Sequence, residues 1–189
     1  EPLTTDWDGN VLEDVWVAKD ATVFKTAYLH GPCIIGHRTE VRQCAFIRGS
    51  ALVGAHCVVG NSVELKNVIL FDNVQTPHYN YVGDSILGYK AHMGAGSITS
   101  NVKSDKTHVV VTDGAERIDT GRKKVGAMLG DGVEVGCNSV LNPGSVIAHE
   151  HDHPHDHFTA AHPDTDWRAA VEHGEAIGLG TTHYELVTV

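Results

Sequence analysis

The sequence predicts an all-β protein built as a parallel β-helix, and a repeat of six residues is the main reason. An apolar residue stands at every sixth position of the first half of the chain, namely at Val17, Val23, Leu29, Ile35, Val41, Ile47, Val53, Val59, Leu65 and Phe71. Glycine often follows directly, as in Val59-Gly60. A six-residue period fits neither a helix nor a long flat strand, but it fits a coil with three short strand faces. The apolar residues then point into a narrow bore, and glycine or another small residue takes the corners.

The repeat resumes after an interruption and extends the predicted solenoid to Ile147. Apolar-glycine pairs return at Leu87-Gly88, and apolar residues continue the repeat through Leu141 and Ile147. The predicted organisation is one domain, since the repeat is continuous. It comprises a lead-in at 1–14, a β-helix at 15–147 with an arm at 99–124, and a poorly integrated acidic tail at 148–189, rich in His and Asp. Core packing explains the aliphatic positions fully, so function is sought where the repeat is interrupted.

The composition argues against two classes of partner. The net charge is −10, and the segment from Ala148 to Val189 holds eight acidic residues against one arginine, which leaves 16 acidic and 13 basic residues elsewhere. This near-balanced solenoid lacks the basic stripe that a phosphate backbone demands, so no nucleic-acid partner is predicted. The sequence also shows no membrane-span stretch and no signal-peptide pattern, so we predict a cytoplasmic protein without a membrane partner.

The cysteine pattern indicates a reducing compartment. The chain has four cysteines, Cys33, Cys44, Cys57 and Cys137, and no CxxC pair. Cys33 and Cys57 fall on small, inward positions of the repeat. Such positions suit a buried thiol better than a disulfide.

The first interruption lies between residues 71 and 87. The apolar-glycine pairs at Val82 and Leu87 are five residues apart, and Pro77 cannot donate a ladder hydrogen bond. A slip in register is therefore predicted, which places four polar residues outside the coil: His78, Tyr79, Asn80 and Tyr81. A lone histidine is more often structural than catalytic, but one beside two tyrosines at such a break is a candidate acid or base.

The second interruption, from Thr99 to Lys124, predicts an arm. A β-rich stretch at 108–111 is followed by a turn at 112–114, which favours a hairpin that leaves the coil and can reach a neighbour. Basic residues occur along it, at Lys103, Lys106, Arg122, Lys123 and Lys124. The arm is either an ordinary solvated loop or a lid whose lysines meet an anionic substrate, and physical grounds alone do not separate the two.

Several motifs carry a family resemblance. An arginine before a glycine is followed by GN-x-VE-x-K, PH-x-x-YVGDS, and GAG with an asparagine after it, in order between Arg48 and Asn101. This stretch closely resembles the left-handed β-helix acetyltransferase domain of the bifunctional N-acetylglucosamine-1-phosphate uridyltransferases and glucosamine-1-phosphate acetyltransferases. The segment DTGRKK-x-GA-x-LGD that follows is similar to stand-alone and archaeal members. The resemblance covers residues 15 to 147 and implies a left-handed coil.

The resemblance implies an acetyltransferase. Members move an acetyl group from acetyl-CoA, the co-substrate, to the 2-amino group of an amino-sugar 1-phosphate, here glucosamine 1-phosphate, and no metal is required. His78 is then expected to be the general base, because an ammonium must lose its proton before it attacks a thioester. The backbone N–H of Ala95 is expected to face the developing oxyanion.

The same resemblance implies the substrate-binding residues, which are Arg48, Lys66, Tyr81, His92, Asn101 and Lys106. Arg48 and Lys66 would bind the sugar phosphate. His92 stands where bacterial members have an asparagine, so the choice of amino sugar stays open. Lys103 is an alternative to Lys106. Asn101 and the arm lysine would complete the pocket of an adjacent subunit, which implies a homotrimer.

Two other functions compete with this one. A non-catalytic β-helix module would bind a sugar nucleotide or a partner nucleotidyltransferase, since the sequence lacks the domain that makes UDP-sugars in bifunctional members. A γ-type carbonic anhydrase would hold zinc between subunits through histidines. Those enzymes use a pair of histidines spaced five apart, a spacing that His78, His92 and His108 do not show.

The tail after Ile147 leaves two alternatives open. Its alternating His and Asp residues can bind Zn²⁺ or Ni²⁺, which suggests a metal-binding appendage. The preferred alternative is an out-of-frame translation that replaced the next coil, because shifting the reading frame by one nucleotide permits a coil-like sequence. Both predict one short helix near 166–176 and no catalytic histidine.

Overall fold

The computed structural model describes residues 5–113 and 116–148, which form a left-handed parallel β-helix. Each turn of the chain adds short strands to three faces, so parallel ladders run along the solenoid. The predicted fold is confirmed. Across these two ranges no helix is long and apolar enough to cross a membrane. The predicted tail, with its short helix and metal-binding alternative, lies beyond Ala148 and outside the described residues.

The strands divide among three faces. The first face contains β1 (Val15–Val17), β4 (Cys33–Ile35), β7 (Ala51–Val53), β16 (Met128–Leu129) and β19 (Val146–Ile147). The second contains β2 (Thr22–Val23), β5 (Glu40–Val41), β8 (Val58–Asn61), β10 (Gln75–His78), β12 (His92–Met93) and β17 (Glu134–Val135). The third contains β3 (Tyr28–Leu29), β6 (Phe46–Ile47), β13 (Ile98–Thr99) and β18 (Val140–Leu141). Two longer strands, β9 (Glu64–Leu70) and β11 (Tyr81–Leu87), cross from the third face to the first and join both in one 11-stranded sheet.

The register changes one coil earlier than the six-residue count indicates. Leu65 and Leu70 are both fully buried, whereas Phe71 is 52% exposed. The prediction that Phe71 points into the bore is therefore wrong, and Leu70 takes that place. The slip predicted between Val82 and Leu87 is confirmed, because both are buried in the bore. Counting every sixth residue does not detect the earlier slip, because Leu70 and Phe71 are adjacent and both apolar.

The spacing of corner residues with positive φ shows the same two slips in register. Ten corner residues have φ between 50° and 62°, namely Arg38, Cys44, Ser50, His56, Ser62, Asn67, Asn73, Tyr79, Asp84 and Lys90. They stand six residues apart, except for the five-residue steps from Ser62 to Asn67 and from Tyr79 to Asp84. Both short steps end on Asn or Asp, the residue types that tolerate this conformation best after glycine. Both also end at the corner between the third and first faces.

The glycines that follow the apolar positions allow successive coils to approach each other closely. A Cβ on Gly36 would lie 2.8 Å from the backbone nitrogen of Ala55 on the next coil. A Cβ on Gly88 would lie 2.7 Å from the nitrogen of Asp131. Side chains at these corners would therefore push the coils apart.

Asn80 is buried inside the coil and is 2% exposed. Its Nδ2 donates to the carbonyl oxygens of Gly94 at 2.7 Å and Ser97 at 3.1 Å. The prediction that Asn80 joins the outward polar cluster is therefore wrong. Its amide thereby links the end of β10 to backbone carbonyls of the next coil and is itself satisfied although buried.

The arm contains the predicted hairpin. Strands β14 (Val110–Asp113) and β15 (Glu116–Asp119) pair in antiparallel fashion. The base of the arm is anchored, because Val109 is fully buried and its N–H donates to the carbonyl of Arg122 at 2.8 Å. A Cβ on Gly144 would lie 2.7 Å from Val109 Cγ1, so this base packs on the last described coil.

The expected thiols are present and unpaired. All four cysteines are free, and Cys33 and Cys57 are buried. Burial raises the pKa of each buried thiol to about 11, which keeps both neutral. The repeat therefore uses them as small apolar core residues, as predicted.

Candidate active site

The polar site residues collect on the third face, where successive coils align them. Strand pairing places Phe46 beside Glu64 and Glu64 beside Tyr81. Two residues further along the same strands, Lys66 pairs with Gly83. Because Ile47 pairs with Leu65, Arg48 stands next to Lys66. The strand alternation that buries Leu65 and Val82 turns all these side chains outward.

Arg48 is held in place by an acidic residue on the next coil. Its Nη1 donates to Glu64 Oε1 at 2.6 Å, and its guanidinium lies 5.9 Å from the centre of the Phe46 ring. The hydrogen bond to Glu64 and the charge of that carboxylate raise the pKa of Arg48 above its usual value. The guanidinium is therefore a fixed, fully charged donor beside the ammonium of Lys66, which is an arrangement suited to an anion.

Tyr81 belongs to the same cluster and is tied to Asn101. The Nδ2 of Asn101 donates to the Tyr81 hydroxyl at 3.1 Å and also to Asp84 Oδ2. Partial burial raises the pKa of the Tyr81 phenol, the Asn101 hydrogen bond lowers it, and the negative charges of Glu64 and Asp84 raise it further. The phenol therefore stays protonated and able to donate a hydrogen bond.

His78 and Ala95 lie side by side at the corner that leads into the third face. The N–H of Gly96 donates to the His78 carbonyl at 3.0 Å, which holds the GAG loop against the end of β10. The side chain of His78 is exposed, and no hydrogen bond or ion pair engages its imidazole among the described residues. The Ala95 carbonyl accepts from the Asn138 N–H at 2.8 Å, whereas the Ala95 N–H makes no hydrogen bond within residues 5–113 and 116–148. A histidine whose imidazole is unengaged thus lies beside a residue, Ala95, whose backbone N–H is unengaged.

Two predicted residues lie apart from this group within one subunit. His92 pairs with Gln75 and Glu134 on the second face. It is three residues from Ala95, or about 10 Å along an extended chain, at the far end of the strand. Lys106 lies in an exposed turn of the arm, where its N–H donates to the carbonyl of Lys103 at 3.0 Å. The structure therefore joins six of the eight predicted residues on one face and its edge.

The two arm lysines differ in their surroundings. Lys103 Nζ donates to Thr107 Oγ1 at 2.8 Å and lies 3.3 Å from Asp105 Oδ2. No ion pair of the described residues engages the Lys106 ammonium. Of these two lysines, Lys106 is therefore the one whose ammonium no other described residue engages.

Sequence reasoning missed three members of the cluster, namely Glu64, Asn67 and Asp84. Glu64 was detectable, because it stands two residues before Lys66 on one strand and so faces the same way. Asn67 and Asp84 are 17 residues apart, a spacing that indicates adjacency only when the shortened coils are known. In the described part of the chain, no group of three or more His, Cys, Asp or Glu residues is placed to hold a metal ion.

Comparison with known proteins agrees with the fold and the motifs. A family model described as the GMPPB C-terminal domain matches residues 29–151. The bifunctional protein GlmU of Methanococcus maripaludis strain C5 is 38% identical over 103 residues, which is 54% of this chain and 25% of that protein. A bifunctional sugar-1-phosphate nucleotidylyltransferase/acetyltransferase of Sulfurisphaera tokodaii is 32% identical over 145 residues, which is 74% of this chain and 36% of that protein. The chain thus spans about a quarter to a third of these relatives.

Solved structures agree at the level of the fold. A hexapeptide transferase family protein from Anaplasma phagocytophilum matches with a TM-score of 0.56 at 17% identity, covering 71% of this chain and 69% of that one. A putative acetyltransferase from Bacillus cereus, the product of the BC4754 gene, matches with a TM-score of 0.54 at 18% identity and the same coverage. Together with the sequence relatives, these matches confirm the resemblance to the acetyltransferase domain of the GlmU proteins. The chain is a left-handed β-helix domain and belongs to the family described as the GMPPB C-terminal domain.

Proposed function

We propose that this chain transfers the acetyl group of acetyl-CoA to the 2-amino group of an amino-sugar 1-phosphate, with glucosamine 1-phosphate as the first substrate to test. The observation that carries the proposal is the order of groups along one face. A charged pair for a phosphate, Arg48 and Lys66, is followed by Tyr81 and then by the free imidazole of His78 beside Ala95. A sugar phosphate bound along this face would direct its amine toward His78.

The chemistry follows from the two groups at the corner. His78 accepts a proton from the substrate ammonium, and the freed lone pair attacks the thioester carbonyl of acetyl-CoA. The Ala95 N–H donates to the oxyanion as it forms, a contribution of about 3 kcal/mol for one fixed donor in a dry site. The C–S bond then breaks. Of the two protons that the nitrogen loses, one is taken by His78 and the other leaves with the CoA thiol.

The fixed position of Arg48 explains how the site recognises the phosphate before chemistry begins. Glu64 accepts one Nη1 hydrogen bond, which leaves the other guanidinium donors for a ligand. Lys66 supplies a second, more mobile charge beside it. The relative from Sulfurisphaera tokodaii is named a sugar-1-phosphate nucleotidylyltransferase/acetyltransferase, which agrees with a phosphorylated acceptor.

The assay that tests this function measures release of the CoA thiol from acetyl-CoA in the presence of glucosamine 1-phosphate. Galactosamine 1-phosphate and unphosphorylated glucosamine serve as comparison acceptors. We expect turnover with a sugar phosphate and little with the free sugar. No turnover with any amino-sugar phosphate would favour the non-catalytic module instead.

Replacing Arg48 with alanine is expected to raise KM for the sugar phosphate about tenfold or more, with a smaller change in kcat, because the lost contact binds ground state and transition state alike. Steady-state kinetics at saturating acetyl-CoA measures both constants. Arg42→Ala is the matched control, since Arg42 pairs with Glu40 at 2.9 Å away from the third face. An unchanged KM in Arg48→Ala would remove Arg48 from the phosphate site.

We also propose a homotrimer, with acetyl transfer in a compartment that keeps thiols reduced, such as the cytoplasm. The support lies on the first face, where outward apolar residues form a ladder across seven coils: Trp16, Ile34, Leu52, Ile69, Ile86, Met128 and Val146. Six of them are 38% to 51% exposed. At about 4.8 Å between strands, the ladder is about 30 Å long. A continuous apolar strip of this length is typical of an interface between copies of one chain.

In such a trimer, residues outside the cluster of one subunit can serve its neighbour. Lys106 lies on the exposed arm, and His92 lies on the second face, at the other end of the strands from His78. The proposal therefore assigns Lys106 to the pocket of a neighbouring subunit, whereas Asn101 serves the pocket of its own subunit through Tyr81. It assigns His92 to contact with the sugar from across the interface.

Replacing Leu52 with lysine is expected to dissociate the trimer, because it places a charge in the middle of the apolar ladder. Sedimentation equilibrium at micromolar concentration gives the mass, and the thiol assay should lose most activity in parallel. Thr22→Lys, an exposed outward position on the second face, is the control and should stay trimeric. A Leu52→Lys protein that keeps the wild-type mass would show that the first face is not the interface.

A further inference from the structure

Three residues form a ladder at the corner between the third and first faces. Asn67 and Asp84 are paired in register, and Asn101 stands at the same corner on the next coil. The Asp84 carboxylate accepts from both amides, through Oδ1 from Asn67 Nδ2 at 2.9 Å and through Oδ2 from Asn101 Nδ2. Asp84 thus joins three consecutive coils at the edge of the candidate site.

This ladder fixes the direction of every hydrogen bond around Asn101. An ionised carboxylate only accepts, so Asn101 must turn its NH₂ group toward Asp84 and its Oδ1 the other way. The second hydrogen of that NH₂ goes to the Tyr81 oxygen at 3.1 Å. The Tyr81 oxygen therefore acts as an acceptor toward Asn101, which leaves its own O–H free to donate elsewhere.

We propose that Asp84 is a positioning residue that sets this hydrogen-bond direction, so that the site presents the Tyr81 O–H as a donor next to Asn101 Oδ1 as an acceptor. One sugar hydroxyl satisfies both, because it accepts from Tyr81 and donates to Asn101. The inference rests on the proposed function for its ligand, a sugar phosphate, while the orientation itself rests on the geometry alone.

The backbone beneath Tyr81 and Asn101 has the shape that their close contact requires. Gly83 lies beneath both, and a Cβ on it would meet the Tyr81 ring at 2.7 Å from Cζ and Asn101 Nδ2 at 3.0 Å. Gly83 has no positive φ, so conformational freedom does not explain the glycine. The missing side chain lets the phenol and the amide lie close over the strand, with the Gly83 N–H donating to Thr99 Oγ1 at 2.9 Å.

The experiment uses the full chain and the substitution Asp84→Asn, which keeps the shape of the side chain and removes its exclusive acceptor character. The first readout is the side-chain NH₂ signal of Asn101 in ¹H–¹⁵N NMR spectra, assigned by its loss in Asn101→Asp. We expect the signal to move when Asp84 is replaced. Asp72→Asn is the control, since the Asp72 carboxylate accepts the backbone N–H of Ala55 at 2.7 Å instead of a side-chain amide and lies away from the third face.

The second readout separates positioning from general structure. Asp84→Asn should raise KM for glucosamine 1-phosphate about tenfold while KM for acetyl-CoA and the melting temperature stay near those of Asp72→Asn. Among the 3-, 4- and 6-deoxy analogues of the substrate, one should bind much more weakly than the parent in the wild type. In Asp84→Asn the same analogue should bind almost as well as the parent substrate. The reason is that Tyr81 and Asn101 no longer present the donor and acceptor that bind this hydroxyl.

Each outcome decides the inference. An Asn101 signal that does not move in Asp84→Asn overturns the orientation. A moved signal with an unchanged KM contradicts the proposed binding of a sugar hydroxyl by Tyr81 and Asn101. Equal losses of affinity for the deoxy analogue in variant and wild type contradict it as well. If Asp84→Asn does not fold, Tyr81→Phe removes the donor directly and must erase the same deoxy penalty. A wild type that neither binds nor acetylates any amino-sugar phosphate contradicts the proposed function, and then the proposed ligand fails while the NMR result still decides the orientation.

Discussion

Replacing His78 with alanine is expected to lower kcat for acetyl transfer by about 10²-fold or more, because the substrate ammonium then has no positioned base. Two observations at His78 support this effect. Gly96 holds the His78 backbone against the GAG loop, and the imidazole has no other partner among the described residues that would sequester it. KM for the sugar phosphate should change little, since the proposed phosphate site, Arg48 and Lys66, lies elsewhere on the face. Steady-state kinetics with the thiol assay measures both constants.

The matched control is His56→Ala. His56 is an exposed corner histidine with φ of 57°, outside the third face, and its imidazole has no role in the proposed chemistry. Its replacement should leave kcat unchanged within about twofold. Normal turnover by His78→Ala would remove the base assignment and require the amine to enter the site already deprotonated.

The largest stability effect is expected from Leu70→Ala, at about 2–5 kcal/mol in the free energy of unfolding. Leu70 is fully buried in the bore on the side that follows the first five-residue step, where coils above and below leave little room to collapse. Phe71→Ala should cost less than about 1 kcal/mol, because that ring is 52% exposed and points away from the core. Urea denaturation at one fixed protein concentration gives both values, since any self-association makes the apparent free energy of unfolding depend on concentration.

This pair of variants distinguishes two registers. The six-residue count in the sequence places Phe71 in the bore and Leu70 outside it, which predicts the opposite order of effects. A larger loss from Phe71→Ala than from Leu70→Ala would therefore contradict the register of β9. It would also contradict the adjacency of Asn67 and Asp84, which depends on the same shortened side.

The sequence predicted the parts of this protein that are periodic or local. Arg48 and Lys66 are 18 residues apart, one full coil, so a six-residue repeat already makes them neighbours. The hairpin arm is local as well, because its turn and strands lie within one short segment. Phe71 and Asn80 were misplaced for one reason: a residue's direction in a coil depends on the count from the last corner, and the count had slipped.

The six-residue repeat alone is enough to predict that this chain is a β-helix, since it dictates which residues can be buried. Which residues meet at the edge of the site follows from the folded coils. Asn67, Asp84 and Asn101 come together because two sides have five residues instead of six, which brings an acceptor and two donors to one corner. The physical reason is that lateral contact in a solenoid is set by the length of each coil, and a change of one residue alters which side chains face each other without changing any local motif.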